Sequence, residues 1–236
     1  MELDKALRTT GAIREFTDEP VDDAAVARIL DTARFSPSGG NAQAWHVVVI
    51  KDPAVRRRLR DLYLTGWRDY LAMAAAGLRP WSPVNDPAAE ADALAAADPV
   101  AGGDGLAEHL DEAPVLLAVY ADLSKLAAVD RDAARYSFAG GASIYPFTWS
   151  ILLAAREEGL GGVITTMAIR EEAKVNALLG ADEPLALAAV IALGHPVHQP
   201  RRLRRSPVGE FTTIDRVRGA TFGASSERRP TRLDNP

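Results

Sequence analysis

The sequence predicts a layered domain of the α/β or α+β kind. Three observations carry this reading. Helical apolar spacing alternates along the chain with short runs rich in β-branched residues. No internal repeat interrupts that order. With 47% of its 236 residues hydrophobic, the chain can bury an extensive core inside one large domain.

The elements follow in order. In VDDAAVARILDTARF, Asp22 caps a helix, Val21 and Val26 take staple positions, and Val26, Ile29, Leu30 and Ala33 recur at helical spacing, with Pro37 marking the stop. WHVVVIK, from Trp45 to Lys51, reads as a buried strand. Asp52 and Pro53 cap and open a second helix with Val55, Leu59, Leu62 and Tyr63 on one side. From about 65 to 112 the pattern loosens into Ala, Pro, Gly and Asp. That stretch reads as a lid or excursion with some helix, anchored by Trp67, Tyr70 and Trp81, or equally as a disordered connection.

Regular structure resumes with VLLAVYA, Val115 to Ala121, as a strand. From Ile144 to Ala155 the chain is apolar almost all round, with Pro146 near the start, which predicts a helix buried on every side, in the domain or against a second subunit. GVITTM is then a strand, REEAKVNALLG a short helix ending at Gly180, and PLALAAVIALG a long buried strand. A basic tail over about 198–236 closes what reads as a single domain over 1–236.

Composition excludes several classes. No apolar run approaches the ~18 residues of a membrane span, and the start MELDKALRTTG lacks the pattern of a signal peptide. The absence of cysteine excludes disulfides, thiolate nucleophiles and sulfur-ligated metals, and fits a cytoplasmic location. A net charge of -5 argues against nucleic acid as a partner, and RRLRR (Arg201 to Arg205) is short enough for a solvated face or a pocket for one phosphate. GGASIY fails as a nucleophile elbow because Tyr145 stands where a glycine is needed. Histidines 46, 109, 195 and 198 lack metal-ligand spacing, and His195 and His198 read as turn residues. GGDGLAE is neither a dinucleotide fingerprint nor a Walker loop.

Four segments together resemble the flavin-dependent nitroreductase family of FMN-dependent NAD(P)H oxidoreductases: GAIREF (Gly11 to Phe16), SPSGGNAQAW (Ser36 to Trp45), EEGLGGVITT (Glu157 to Thr166) and LRRSPVGEF (Leu203 to Phe211). Their order and spacing match the family over nearly the whole chain. The resemblance implies an α+β layered fold, with a central, mostly antiparallel or mixed sheet flanked by helices. It further implies an intertwined homodimer with FMN held at the interface. Turnover would be ping-pong: NADH or NADPH delivers hydride, and a nitroaromatic, quinone or related small-molecule acceptor takes the electrons.

The demands of FMN assign roles to residues. By resemblance, Arg205, with Arg204 and Arg202 beside it, meets the phosphate. Arg14 approaches the ring's N1/O2 region or the ribityl chain. Pro37, Ser38, Gly39, Gly40, Asn41 and Gln43 form a tight loop whose backbone and side chains pack on the flavin of the other subunit. Trp45 is assigned to the core. Ile164, Thr165 and Thr166 place main-chain donors at N5 and O4, with Gly161 and Gly162 allowing close passage. The chain departs from the family at Thr10 to Ala12, where relatives carry an arginine and a serine; Arg8, Thr9 or Thr10 are the substitutes. No catalytic side chain is required, since hydride moves directly to the flavin, and acceptor protons come from water, Tyr145 or the lid. Reductive dehalogenation, enone reduction, flavin fragmentation and non-catalytic flavin storage are alternatives on this scaffold. A regulator binding nucleic acid through RRLRR is the reading from a different class.

Overall fold

The computed structural model describes residues 1–98, 103, 105–135 and 138–223. The parts of the expected lid at 99–102 and 104, and of the expected tail beyond 223, lie outside the described residues. The chain forms two compact units, Met1–Arg201 and Arg202–Pro236.

The first unit is built on a four-stranded sheet. Its strands are β1 (Trp45–Val49), β2 (Val115–Asp122), β3 (Gly161–Thr165) and β4 (Leu185–Gly194), in the order β1-β2-β4-β3. All three pairs are antiparallel. A single parallel bridge joins Ala12 to Gly162, and Ile13 N–H donates to the Gly162 carbonyl at 2.9 Å, so the N-terminal segment runs along the free side of β3. The architecture is α+β, as expected.

Side-chain alternation divides the sheet between two cores. Val115, Leu117, Val119 and Ala121 of β2 join Val26 and Ile29 of α2 (Asp23–Ala33) and Phe147 and Ile151 of α5 (Tyr145–Glu157) on one face. Leu116, Ala118 and Tyr120 join Leu59 and Tyr63 of α3 (Pro53–Ala75) and Val175 of α6 (Glu172–Leu179) on the other. Both central strands are therefore apolar along their length, because helices cover both faces. Each large aliphatic side chain buried this way contributes roughly 1.5–3 kcal/mol. Two further helices, α1 (Leu3–Thr9) and α4 (Pro87–Ala95), complete the helices of this unit among the described residues.

The helix ends follow the expected caps. Asp22 accepts from Ala25 N–H at 2.6 Å, and Asp52 from Ala54 and Val55 N–H at 2.7 and 3.0 Å. Those two backbone bonds hold the Asp52 carboxyl below its ordinary range. Gly180 closes α6 at φ 69°.

Four expectations need correction. β1 is not a buried strand: it lies at the sheet edge, with His46 and Val49 exposed and Trp45, Val47 and Val48 half-buried. The second helix does not loosen at Thr65: α3 runs to Ala75, because Gly66 and Met73 are buried and Trp67 stacks on Tyr70 at 5.1 Å. α5 is not buried all round within one chain, since Tyr145 is 45% exposed and Trp149 and Ser150 are half-buried. The strand expected over GVITTM starts one residue earlier, at Gly161, and ends at Thr165, before Thr166 and Met167.

The second unit is a short folded-back segment in which Ile214 N–H donates to the Ala220 carbonyl at 2.8 Å. A Cβ on Gly219 would come within 2.0 Å of the Ile214 carbonyl oxygen, so that turn requires glycine. Phe211, Val217 and Phe222 are exposed. No helix among the described residues is long and apolar enough to cross a membrane.

Candidate functional site

Antiparallel pairing brings the C-terminal ends of β2 and β3 to the same edge as the start of β4. An open cleft of about 1000 Å³ lies there, with Ala121, Ala188 and Thr166 from the strand ends on its wall. Ala188 is positioned by a bulge: Val119 pairs with Ala189 but Tyr120 pairs with Leu187, which leaves Ala188 as the extra residue. Its carbonyl accepts a hydrogen bond from the Tyr145 hydroxyl at 3.3 Å. Leu123, Leu126, Phe138 and Pro146 add apolar surface, and Gly140, Gly141 and Ala142 leave the wall low.

The lining also includes Trp81 and Arg170. The Arg170 guanidinium sits 4.1 Å from the Trp81 ring centroid. Trp81 is held at φ 57°, a left-handed conformation that costs a bulky residue on the order of 1–3 kcal/mol. Its indole N–H is buried without a partner. Arg170 reaches this place because the 3₁₀ turn Met167–Glu171 packs directly on α3: a Cβ at Gly66 would lie 2.7 Å from the Met167 carbonyl and 3.0 Å from Arg170 Cγ. Asp69, on the same helix, has its carboxyl pushed up by burial, against the attraction of Arg170.

The loop from Ser36 to Gln43 is ordered by local bonds and by two serines of a remote segment, Ser143 and Ser150. Ser36 Oγ lies within hydrogen-bond distance of the Ala33 carbonyl and of Ser150 Oγ, both at 2.7 Å. Gln43 N–H donates to Ser38 Oγ at 3.0 Å, and Gly39 N–H to Ser143 Oγ at 3.0 Å. Gly40, Asn41 and Gln43 have φ of 58°, 53° and 49°. Three left-handed residues within four positions make a tight, strained knuckle. Pro37, Gly39, Asn41 and Gln43 are exposed and Ser38 is half-buried. Among the described residues, none of 37–43 lines the cleft of its own chain, although Ser143 adjoins the wall residues Ala142 and Ile144.

Ile164, Thr165 and Thr166 stand together where β3 ends, and of the three Thr166 faces the cleft. The Thr165 hydroxyl donates to Tyr63 Oη at 3.1 Å. Burial raises the Tyr63 hydroxyl pKa, while that bond and the charge of Arg14 oppose the rise. Arg14 itself lines a second, more polar pocket of about 520 Å³ with Phe16, Thr17, His109 and Glu112. Gly161 and Gly162 are close-passage residues for their own chain: a Cβ on Gly161 would lie 2.6 Å from Ile13, and on Gly162 2.3 Å from Leu193.

The expected substitutes for the missing N-terminal arginine are mostly engaged. Arg8 pairs with Asp4 at 2.7 Å and Thr9 Oγ1 donates to the Lys5 carbonyl at 2.8 Å, whereas Thr10 Oγ1 is buried without a partner. In the second unit Arg204 and Arg205 are exposed, and Arg205 Nη1 donates to the Arg204 carbonyl at 2.7 Å. Trp45 stacks on Phe147 with centroids 4.5 Å apart, half-buried against the core rather than enclosed in it. Sequence reasoning took Trp81 for a lid anchor and missed Arg170, whose position depends on packing between segments remote in sequence.

A sheet-end cleft with a hydroxyl-bearing strand terminus and apolar walls defines a small-molecule site on an α+β scaffold. The chain belongs to the nitroreductase family, whose sequence profile matches residues 7–195. It is 28% identical over 224 residues to an NADH dehydrogenase of Thermus thermophilus, covering 84% of this chain and 88% of that protein. It is 28% identical over 206 residues to 5,6-dimethylbenzimidazole synthase of Rhodospirillum rubrum, covering 85% and 87%. Among solved structures, oxidised iodotyrosine deiodinase bound to FMN and 3-iodo-L-tyrosine matches with a TM-score of 0.59 at 22% identity, covering 88% of this chain and 96% of that one.

Proposed function

We propose that this protein is an FMN-dependent oxidoreductase that takes hydride from NADH or NADPH and reduces a small aromatic acceptor, a nitroaromatic or quinone in the first instance. The observation that carries the reading is the cleft, whose wall ends on Thr166, in the segment to which the sequence resemblance assigns the polar edge of the flavin. A flavin ring is flat and apolar with one polar edge, and this cleft has the same division: aliphatic and aromatic walls beside a strand end offering backbone groups. When bound, FMN supplies hydride acceptance at N5 and electron delivery to the acceptor.

The chain's own residues would bind and orient. Backbone groups of Ile164, Thr165 and Thr166 meet the polar edge of the ring, and the Tyr63 bond holds Thr165 still. Arg14 adds positive charge on the Tyr63 side, and Arg204 and Arg205 meet the phosphate. The Pro37–Gln43 loop, exposed in its own chain and stiffened by its left-handed residues, serves the site of a second copy in a homodimer. Exposed Phe35 and Phe138, the half-buried side of α5, and the apolar side chains of the second unit are surface that such a partner covers. The Tyr145 hydroxyl, which lines the cleft, is one candidate beside water to hand a proton to a reduced acceptor. The reading places the protein in the cytoplasm, where both nicotinamide nucleotides are at hand.

An anaerobic titration tests this. Purified protein should be yellow, bleach on addition of NADH or NADPH, and recover colour with a nitroaromatic or quinone. A yellow protein that neither nucleotide bleaches would mean flavin storage, and a colourless protein that takes up no FMN would end the proposal. Sedimentation should give twice the 25.2 kDa chain mass.

A further inference from the structure

The charged side chain on the cleft lining is Arg170; the rest of the wall is apolar, aromatic or neutral polar. Among the described residues its guanidinium has no hydrogen-bond or ion-pair partner, so its only directed contact is with the face of Trp81 at 4.1 Å. The neighbouring Glu171 is engaged by Lys174 at 2.6 Å. Arginine stacked on a ring keeps its planar fork of N–H donors available at the edge, in the geometry that meets a carboxylate. Trp81 stands in a strained left-handed conformation with an orphaned indole N–H, and strain of that kind concentrates where a side chain has to be presented. Tyr145 and Phe138 add aromatic surface to the same lining. The site therefore combines flat apolar walls with one cation that feels the charge of Asp69 but is hydrogen-bonded to nothing among the described residues.

We infer that this cleft selects planar aromatic molecules bearing a carboxylate, with Arg170 on the face of Trp81 receiving the anion while the ring lies against the apolar walls. The inference names the acceptor class for the function proposed above and rests on that reading only in taking the bound molecule to be the acceptor; Trp81 and Arg170 determine specificity and take no part in the electron transfer.

Equilibrium titration calorimetry of the oxidised, cofactor-bearing protein, without nucleotide, tests the inference with 4-nitrobenzoate and its neutral counterpart 4-nitrobenzamide. The carboxylate should bind roughly tenfold more tightly, a preference that shrinks as salt is raised. Arg170→Gln should bring the two ligands to parity, and Arg170→Lys should retain part of the preference, since it keeps the charge and loses the planar fork. Equal affinity of the two ligands for the unmodified protein, no detectable binding of either, or a preference that survives in Arg170→Gln would each overturn it. The unmodified protein alone decides the matter if the variants do not fold. A protein that bleaches with NADH yet binds both ligands equally defeats this inference and leaves the proposed function standing. A carboxylate preference in a protein that carries no reducible flavin does the reverse.

Discussion

Thr165 and Tyr63 share a hydrogen bond of 3.1 Å that ties the end of β3 to α3. Tyr63 is 5% exposed, so its hydroxyl has few other partners to turn to. The bond sets the pose of the strand terminus that continues into Thr166 on the cleft wall. Tyr63→Phe should cost about 1 kcal/mol and lower the melting temperature by roughly 2–4 °C, read by thermal denaturation at one protein concentration. An unchanged melting temperature would mean that the bond contributes nothing to stability.

Gly162 is packed from three sides. A Cβ there would meet Leu193 at 2.3 Å, the Ala192 carbonyl at 2.6 Å and Leu152 at 3.1 Å. Gly162→Ala should destabilise by roughly 1–3 kcal/mol or more, because the backbone carbonyl in the way belongs to the partner strand. Gly105→Ala is the control, since its nearest neighbour would be a flexible Glu108 oxygen at 3.9 Å. Comparable unfolding midpoints in urea for the two variants would contradict the packing.

Phe147 is 2% exposed and stacks on Trp45 at 4.5 Å, joining α5 to β1. Phe147→Ala should cost roughly 3–5 kcal/mol. Trp45 fluorescence should shift as the ring loses its cover, and a spectrum identical to that of the unmodified protein would count against the stack.

Asp69 gives a pH dependence of unusual sign. Burial raises its carboxyl pKa above the ordinary 3.8 in the folded protein, with Arg170 opposing. As pH rises above 3.8, the unfolded chain loses this proton first, so the group lowers stability through the window up to its folded pKa. Asp69→Asn should therefore melt at a higher temperature than the parent at pH 7, with the gap closing below about pH 4. A gap that widens in acid would reverse the assignment. Asp52 works the other way: its lowered pKa contributes stability that is present above 3.8 and lost as pH falls through the folded value.

Much of the fold was legible because local chemistry marks it. Asp22 and Asp52 announce two helix starts, Gly180 a helix end, and the uninterrupted apolar runs of β2 and β4 a sheet covered on both sides. α3 outran its pattern because Gly66 and Met73 earn burial by close contact instead of by a regular apolar stripe. The site was half legible. The turn residues of Pro37–Gln43 are visible in sequence, yet the bond from Gly39 to Ser143 depends on a segment a hundred residues away.

By itself the sequence determined the family, the order of helices and strands, the caps, and the residue types that could face a flavin, since these depend on neighbours along the chain. Tertiary structure alone decided that the sheet is antiparallel throughout, that a bulge turns Ala188 to the cleft, that the two β3 glycines serve Ile13 and Leu193, and that Arg170 rests on Trp81. The physical reason is one of range: hydrogen-bonded caps and apolar periodicity are local, whereas strand direction, close approach and the place of an unpaired charge are set by whichever distant segment packs alongside.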